Sequence, residues 1–330
     1  MPLGSLGDSF SAFFDAVGDF FGSIAAIQWL ALLPALAAFL VYLTLRARAS
    51  FNILRAAYPE ERISFRYIWG AYIAAYGFNS VIPARGGDVV RLFLTKSSVP
   101  NSSYPAVAAA FSVELIFDLC MAIPILAFAF TQGVFPKPPD FSSLPAFDLA
   151  FFASHPRFTL FVLTVLGIAV LAGFALLSAR VRAFWERVRQ GLTILSDRRR
   201  FLREVFAVQF VGWLFRFTAF FLLLEAFNVG GSVRNVLLVL GVNAVAAAVP
   251  FTPGGAGVQQ ALLVKVFAGT AAGATVAAYS VGQQIAIAAF TFAAGFAALV
   301  WIFNIRSFKE VLAQGRAARE KDPQDEAAAA

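Results

Sequence analysis

The segment YIWGAYIAAYGFNSVIPARGGDVVR, residues 67–91, decides how the rest of the chain is read. Its first arm, Tyr67 to Ile82, is apolar and stops at Pro83-Ala84-Arg85-Gly86-Gly87-Asp88. A second segment behaves alike: Asn235 to Val249 stops at Pro250-Phe251-Thr252-Pro253-Gly254-Gly255. Proline removes a backbone donor and glycine tolerates turns that other residues resist, so each motif ends one helix and permits another. Each arm has roughly 15 residues, about 23 Å of helix, against an apolar bilayer core of about 30 Å. Neither arm spans comfortably alone.

The surrounding composition makes the bilayer the relevant solvent. Of 330 residues, 60% are hydrophobic and only 14% charged, and the mean hydropathy is +0.76. Soluble domains of this size do not show that profile. The net charge of +7 does not point to nucleic acid, because the basic residues sit beside apolar spans, where they orient the chain and meet anionic lipid. One cysteine, Cys120, excludes an internal disulfide, and one histidine, His155, leaves no cluster for a metal. No cofactor is called for. The first 45 residues hold no Lys or Arg, so no basic signal-peptide region is expected.

Continuous spans are predicted at Ile24 to Leu45, Ala106 to Phe130, Phe158 to Ser178, Val205 to Phe227 and Thr275 to Phe303. Residues 1–23 read as an N-terminal interfacial segment, with Phe10, Phe13, Phe14, Val17 and Phe21 at helical spacing. Residues 24–305 read as a single transmembrane domain, and 306–330 as a basic, then disordered, cytoplasmic tail.

Charge orients these spans. Arg46, Arg48, Arg55, Arg62 and Arg66 follow the first, while the segment before it carries only acids. The basic loop from Arg180 to Arg203 and the tail with Arg306 and Lys309 belong on the same, inner side, whereas 131–157 belongs outside. The N-terminus is then outside and the C-terminus cytoplasmic. These placements hold together only if each broken segment leaves the membrane on the side where it entered. The expected fold is therefore an all-α polytopic membrane protein, with about five full transmembrane helices and two opposed re-entrant helical hairpins in an inverted repeat. An ordinary bundle of 7–9 helices is the alternative.

The motifs carry polar groups to membrane depth. In the first, Asn79 and Pro83 mark the break, Asp88 is placed to N-cap the returning helix, and Gly86 and Gly87 leave backbone N–H groups open. With Arg85 and Arg91 they could hold an anion, for which a lipid phosphate is the nearest source. The bland reading pairs Asp88 with Arg91 and lets Arg85 reach the headgroups. The second motif repeats the device without charge, with Thr252 as cap, Pro250 and Pro253 as breaks, and Gly254 and Gly255 at the tip. Its bland reading is a tightly packed turn.

Glu114 and Asp118 share one helix face, so either one is protonated or each has a cation within reach, with Arg85, Arg91 and Arg216 as candidates and Gln209 on the face of Arg216. They could relay protons, touch a headgroup, or form an ion-pair network that locks helices. Gln283 and Gln284 are read near the outer end of the last span, where they cost little. No P-loop, Gly-x-Ser-x-Gly or His-rich metal motif occurs, and no enzyme activity is expected.

The run N-x-x-x-P-x-R-x-G-D-x-x-R at Asn79 to Arg91, the E-x-x-x-D pair at Glu114 and Asp118, and P-x-T-P-G-G-x-G at Pro250 to Gly257 resemble the lysylphosphatidylglycerol synthase transmembrane-region family, the flippase-like membrane domains. The resemblance covers roughly residues 25–305 and implies a multi-pass inner-membrane protein, one that moves lipid between leaflets. The best-known member also carries a soluble aminoacyltransferase domain; nothing of that size follows residue 305 here, so lipid aminoacylation is not expected. Val113 before Glu114, the absence of a following Arg, and Gln283-Gln284 where an Arg is common depart from the family pattern. The sequence thus suggests a flippase-like protein for an anionic or modified phospholipid headgroup, or a membrane accessory of a lipid- or glycan-assembly enzyme.

Overall fold

The structure, a computed structural model, describes Gly22 and residues 26–80, 86–132, 178–247, 258–268 and 271–305. These form nine helices: α1 Trp29–Ala57, α2 Phe65–Asn79, α3 Gly86–Ser98, α4 Tyr104–Thr131, α5 Ser178–Gly191, α6 Arg198–Ala226, α7 Val233–Ala247, α8 Val258–Val266 and α9 Gly273–Phe303. No strand occurs among the described residues. The N-terminal segment, the expected span from Phe158, both break motifs up to Arg85 and Gly257, and the tail lie outside them.

Four helices, α1, α4, α6 and α9, are long and apolar enough to cross a membrane. Only 22–33% of their most apolar stretches is buried inside the protein; Leu30, Ile123, Phe130 and Trp301 project outward. Such a surface is soluble only in lipid, where apolar side chains gain nothing by turning inward. The chain has an all-α polytopic membrane fold.

The first span starts at Trp29 and not at Ile24, and two further boundaries differ from the sequence reading because of charge. The first span runs on past Leu45 to Ala57, so Arg46, Arg48 and Arg55 are helical rather than in a loop. What stops α1 is Pro59, which disfavours helix at the residue before it, and Tyr58 accordingly leaves the helix. Helix α6 begins at Arg198, inside the expected basic loop, where the Asp197 carboxylate caps the backbone N–H of Arg200 at 2.9 Å. It contains a π-helical turn at Leu202–Phe206. Asn52 of α1 donates to the Glu204 carbonyl there at 2.8 Å. Most of the rest of that loop forms α5, which no apolar run of spanning length announces.

Close packing comes from small residues, as expected where the solvent offers no hydrophobic drive. Helices α1 and α6 run antiparallel along their length. The Gln28 N–H bonds the Ala226 carbonyl at 2.9 Å, Gly212 sits against Tyr42 and Leu45, and Asn52 meets Glu204. Gly77 packs against the backbone of Thr291 and Phe292, and Gly295 against Ala74, joining α2 to α9. Gly241 packs against Ala129, joining α7 to α4. Helix α3 lies alongside α2, with Gly87 against the Ala75 carbonyl.

These contacts sort the helix ends. At one end of the bundle Tyr58 meets Ser103, Gln190 reaches the Ala57 carbonyl, Gly191 packs on Ala106, and Arg66 donates to the Trp301 carbonyl at 2.8 Å. Basic residues Arg55, Arg62, Arg66 and Lys96, Arg187 and Arg189 of α5, and those at the start of α6 gather there. At the other end Arg234 donates to Gln132 at 3.0 Å, and Asn228 holds the start of α1.

Candidate functional site

About 15 Å in from the basic end, judged by helical rise, three helices bring charged side chains together and two more add polar groups. Arg46 on α1 is the hub. Its Nε donates to the Tyr72 hydroxyl at 3.0 Å, and its two terminal nitrogens make a fork onto Asp118, at 2.6 Å to Oδ1 and 2.9 Å to Oδ2. Nη1 also donates to Gln209 Oε1, and Nη2 lies 3.5 Å from Glu114 Oε2. Fork-on-fork geometry makes the Arg46–Asp118 pair strong and directional.

Arg91 on α3 completes the network. It donates to Glu114 Oε1 and, at 2.8 Å, to Ser50 Oγ. Its guanidinium lies between two rings, 4.3 Å from the centroid of Tyr72 and 3.8 Å from that of Phe111. Glu114 is 2% exposed and Arg46 8%, whereas the Asp118 side chain is 44% exposed. Two cations face two carboxylates, so the cluster is neutral as a whole. That resolves the expected repulsion between Glu114 and Asp118: each carboxylate has its own arginine.

Sequence reading named Glu114, Asp118 and Arg91 but not the hub. From sequence, Arg46 reads as a loop residue because it is the first basic residue after an apolar run. The missed signal is a stripe on α1, Tyr42, Arg46 and Ser50 at intervals of one turn, ahead of the true helix breaker at Pro59.

At the first break, the expected cap is corrected. Helix α3 begins at Gly86, so Asp88 lies within its first turn. The cap comes from across the break: Asn79 Oδ1 accepts from the Gly87 N–H at 2.8 Å, and its Nδ2 donates to Asp88 Oδ1 at 2.9 Å. Glycine is required at 87, since a Cβ would run into the Ala75 carbonyl. Arg91 pairs with Glu114, and the Asp88–Arg91 pair of the bland reading is not formed. At the second break Asn243 plays a similar part, its Oδ1 accepting from Gln259 Nε2 at 2.8 Å. Arg85, Pro83, Pro250, Thr252, Pro253, Gly254 and Gly255 lie outside the described residues.

Arg216 stands apart. It sits within α6, partly buried, its guanidinium 5.7 Å from the Tyr42 ring and 5.8 Å from the Phe220 ring. No carboxylate pairs with it among the described residues. Tyr42 lies one turn from Arg46, so Arg216 places an unbalanced positive charge beside a neutral cluster. Gln283 is 1% exposed, not at a wet helix end as its sequence position suggested, and its Oε1 has no hydrogen-bond partner. Gln209 Nε2 is likewise unpartnered.

The family model described as lysylphosphatidylglycerol synthase TM region matches residues 10–295. That is most of the chain, which therefore belongs to this family. No curated protein and no solved structure matches it.

Proposed function

We propose that this member of the family moves phospholipid between leaflets, taking an anionic or modified headgroup into the protein at membrane depth. The observation that carries the reading is Arg216: a cation held within a membrane-spanning helix, facing aromatic rings and no carboxylate among the described residues, next to a cluster that needs no further charge. An intramembrane charge without a partner is costly unless a ligand or water path uses it. A headgroup phosphate would supply the missing anion. Arg85 and the glycines of the two breaks would add donors from their side. Arg91 is engaged by Glu114, so its part would be to fix α3 against α4 and not to hold cargo.

Two further features support opposed hairpins. Helix α2 starts and α3 ends at the basic end, while α7 starts and α8 leads back to the other end, where Tyr279 packs on Phe227. Each first arm carries Gly-x-Asn, at Gly77 to Asn79 and Gly241 to Asn243. In each, the glycine packs on the last helix of the opposite half and the asparagine clasps its own second arm. Inverted repeats of this kind place substrate between their broken helices. The gathered basic residues would face the cytoplasm of a cell membrane, leaving the N-terminus outside. No catalytic step is assigned.

The test is leaflet exchange in vesicles. The protein reconstituted with a labelled anionic phospholipid should speed exchange, and Arg216→Ala should slow it about tenfold or more, the loss of one desolvated charge-assisted contact. Exchange by wild type that Arg216→Ala leaves unchanged would overturn the role of Arg216. No exchange by wild type would overturn transport and favour an accessory to a lipid- or glycan-assembly enzyme.

A further inference from the structure

We infer that a second lipid site lies at the basic end, outside the charge cluster, where the groove between α5 and the start of α4 takes an acyl chain of an anionic phospholipid whose headgroup rests on Arg187 and Arg189 of α5.

The groove is shallow, about 530 Å³, and open to the outside of the bundle. Tyr104, Pro105, Ala108 and Ser112 form one wall, descending two turns of α4 from the basic end, and Phe184, Trp185 and Val188 form the other. Apart from the Tyr104 and Ser112 hydroxyls and the Trp185 indole, that lining is apolar. Helix α5 is clamped against α4 by Gly191, whose missing side chain lets it reach the Ala106 carbonyl, so the groove has a fixed wall. Phe184 and Trp185 stack edge to face at 6.1 Å and are about half exposed. Aromatic pairs so placed are typical of the membrane interface, one face in hydrocarbon and one near headgroups.

Charge identifies the occupant. Residues 178–204 hold eight arginines against three acids, Glu186, Asp197 and Glu204. Glu204 is engaged by Arg200 at 3.1 Å and Arg203 at 3.3 Å, and Asp197 caps α6. Arg187, Arg189, Arg198 and Arg199 have no carboxylate within salt-bridge distance among the described residues. On α5, Arg187 and Arg189 fall either side of the stripe made by Phe184, Trp185 and Val188, while Glu186 lies on the opposite face. An apolar stripe bordered by arginines is the pattern of an amphipathic helix at the membrane surface that selects anionic lipid. A zwitterionic lipid would fit the groove but leave those charges unanswered. The inference rests on the membrane fold and not on lipid movement, so the two readings fail separately.

Brominated acyl chains quench tryptophan on contact, which gives the test. Full-length protein and a Trp185→Phe variant are reconstituted in phosphatidylcholine vesicles containing a minor fraction of either brominated phosphatidylglycerol or brominated phosphatidylcholine. The difference between the two proteins reports Trp185. Local enrichment of the anionic lipid should reach about fivefold for each arginine that meets it. It should fall with added salt and largely vanish in Arg187→Gln/Arg189→Gln, whose fold is checked by unchanged quenching from phosphatidylcholine. Equal quenching by the two lipids would overturn the proposal in favour of unselected boundary lipid. No quenching by either would overturn it in favour of a segment of this chain or a second copy filling the groove.

Discussion

The charge cluster makes a quantitative prediction because its pairing is unequal. Arg91 answers Glu114, while Arg46 answers Asp118 through two short contacts and reaches Glu114 only at 3.5 Å. Glu114→Gln removes one carboxylate from a site where it is 2% exposed, leaving two arginines to share Asp118. Breaking a buried pair from one side costs about 3–5 kcal/mol. Arg91→Gln should fall toward the lower part of that range, since Glu114 keeps Arg46, though it also loses the rings of Tyr72 and Phe111, worth about 0.5–2 kcal/mol. In Arg91→Gln/Glu114→Gln no charge is orphaned, because Arg46 and Asp118 still balance and the two amides can bond each other. The double variant should therefore cost about 2–3 kcal/mol less than the two singles added together, the coupling expected of contacting residues. Arg46→Gln/Glu114→Gln is the contrast: it strands Arg91 and Asp118, so little is recovered. Unfolding in mixed micelles by increasing SDS would measure all six proteins: wild type, the three singles including Arg46→Gln, and the two doubles. Additivity within about 0.5 kcal/mol for the first pair would refute the pairing, and equal recovery in both pairs would refute the assignment of partners.

Two other outcomes follow from local geometry. Gly87→Ala should destabilise by about 3 kcal/mol or more, because the added methyl meets the rigid Ala75 carbonyl, whereas Gly212→Ala, with Leu45 Cβ at 3.2 Å, should stay near 1 kcal/mol; similar values in the same SDS assay would mean that α2 and α3 are not in contact there. Tyr58, just beyond α1, has its hydroxyl pKa raised by burial against the opposing contact with Ser103. The folded form thus keeps a proton that the unfolded chain gives up near pH ~10, so stability from this group falls as pH rises above that value. Tyr58→Phe should flatten alkaline unfolding, and an unchanged pH profile would show that the group does not contribute.

Much of the fold was legible because hydrophobic length is a strong signal: α4 and α9 match their expected spans within two residues. Legibility failed where charge and hydrophobicity share a helix. Arg46 reads as the end of a span only if a charge must leave the bilayer, and here Asp118, Gln209 and Tyr72 keep it inside. No sequence rule supplies partners drawn from three other helices. Helix α5 was hidden for the converse reason, its arginines outweighing the narrow stripe of Phe184, Trp185 and Val188. At the first break the chemistry was right and the donor wrong, since a cap from Asn79 across the break requires α2 and α3 to lie side by side.

The bond from Arg66 to the end of α9 joins positions 235 residues apart. Helix α2 therefore enters the bilayer long before its partner exists. At ordinary synthesis speeds α9 follows roughly ten seconds to most of a minute later. Through that interval the glycine face of α2 has only lipid against it, and helix α7 and Gly241 meet the finished α4 at once. The α2–α3 pair must wait for the last helix, so assembly begins in the middle of the chain and its ends join last, and any pause in translation falls on α2.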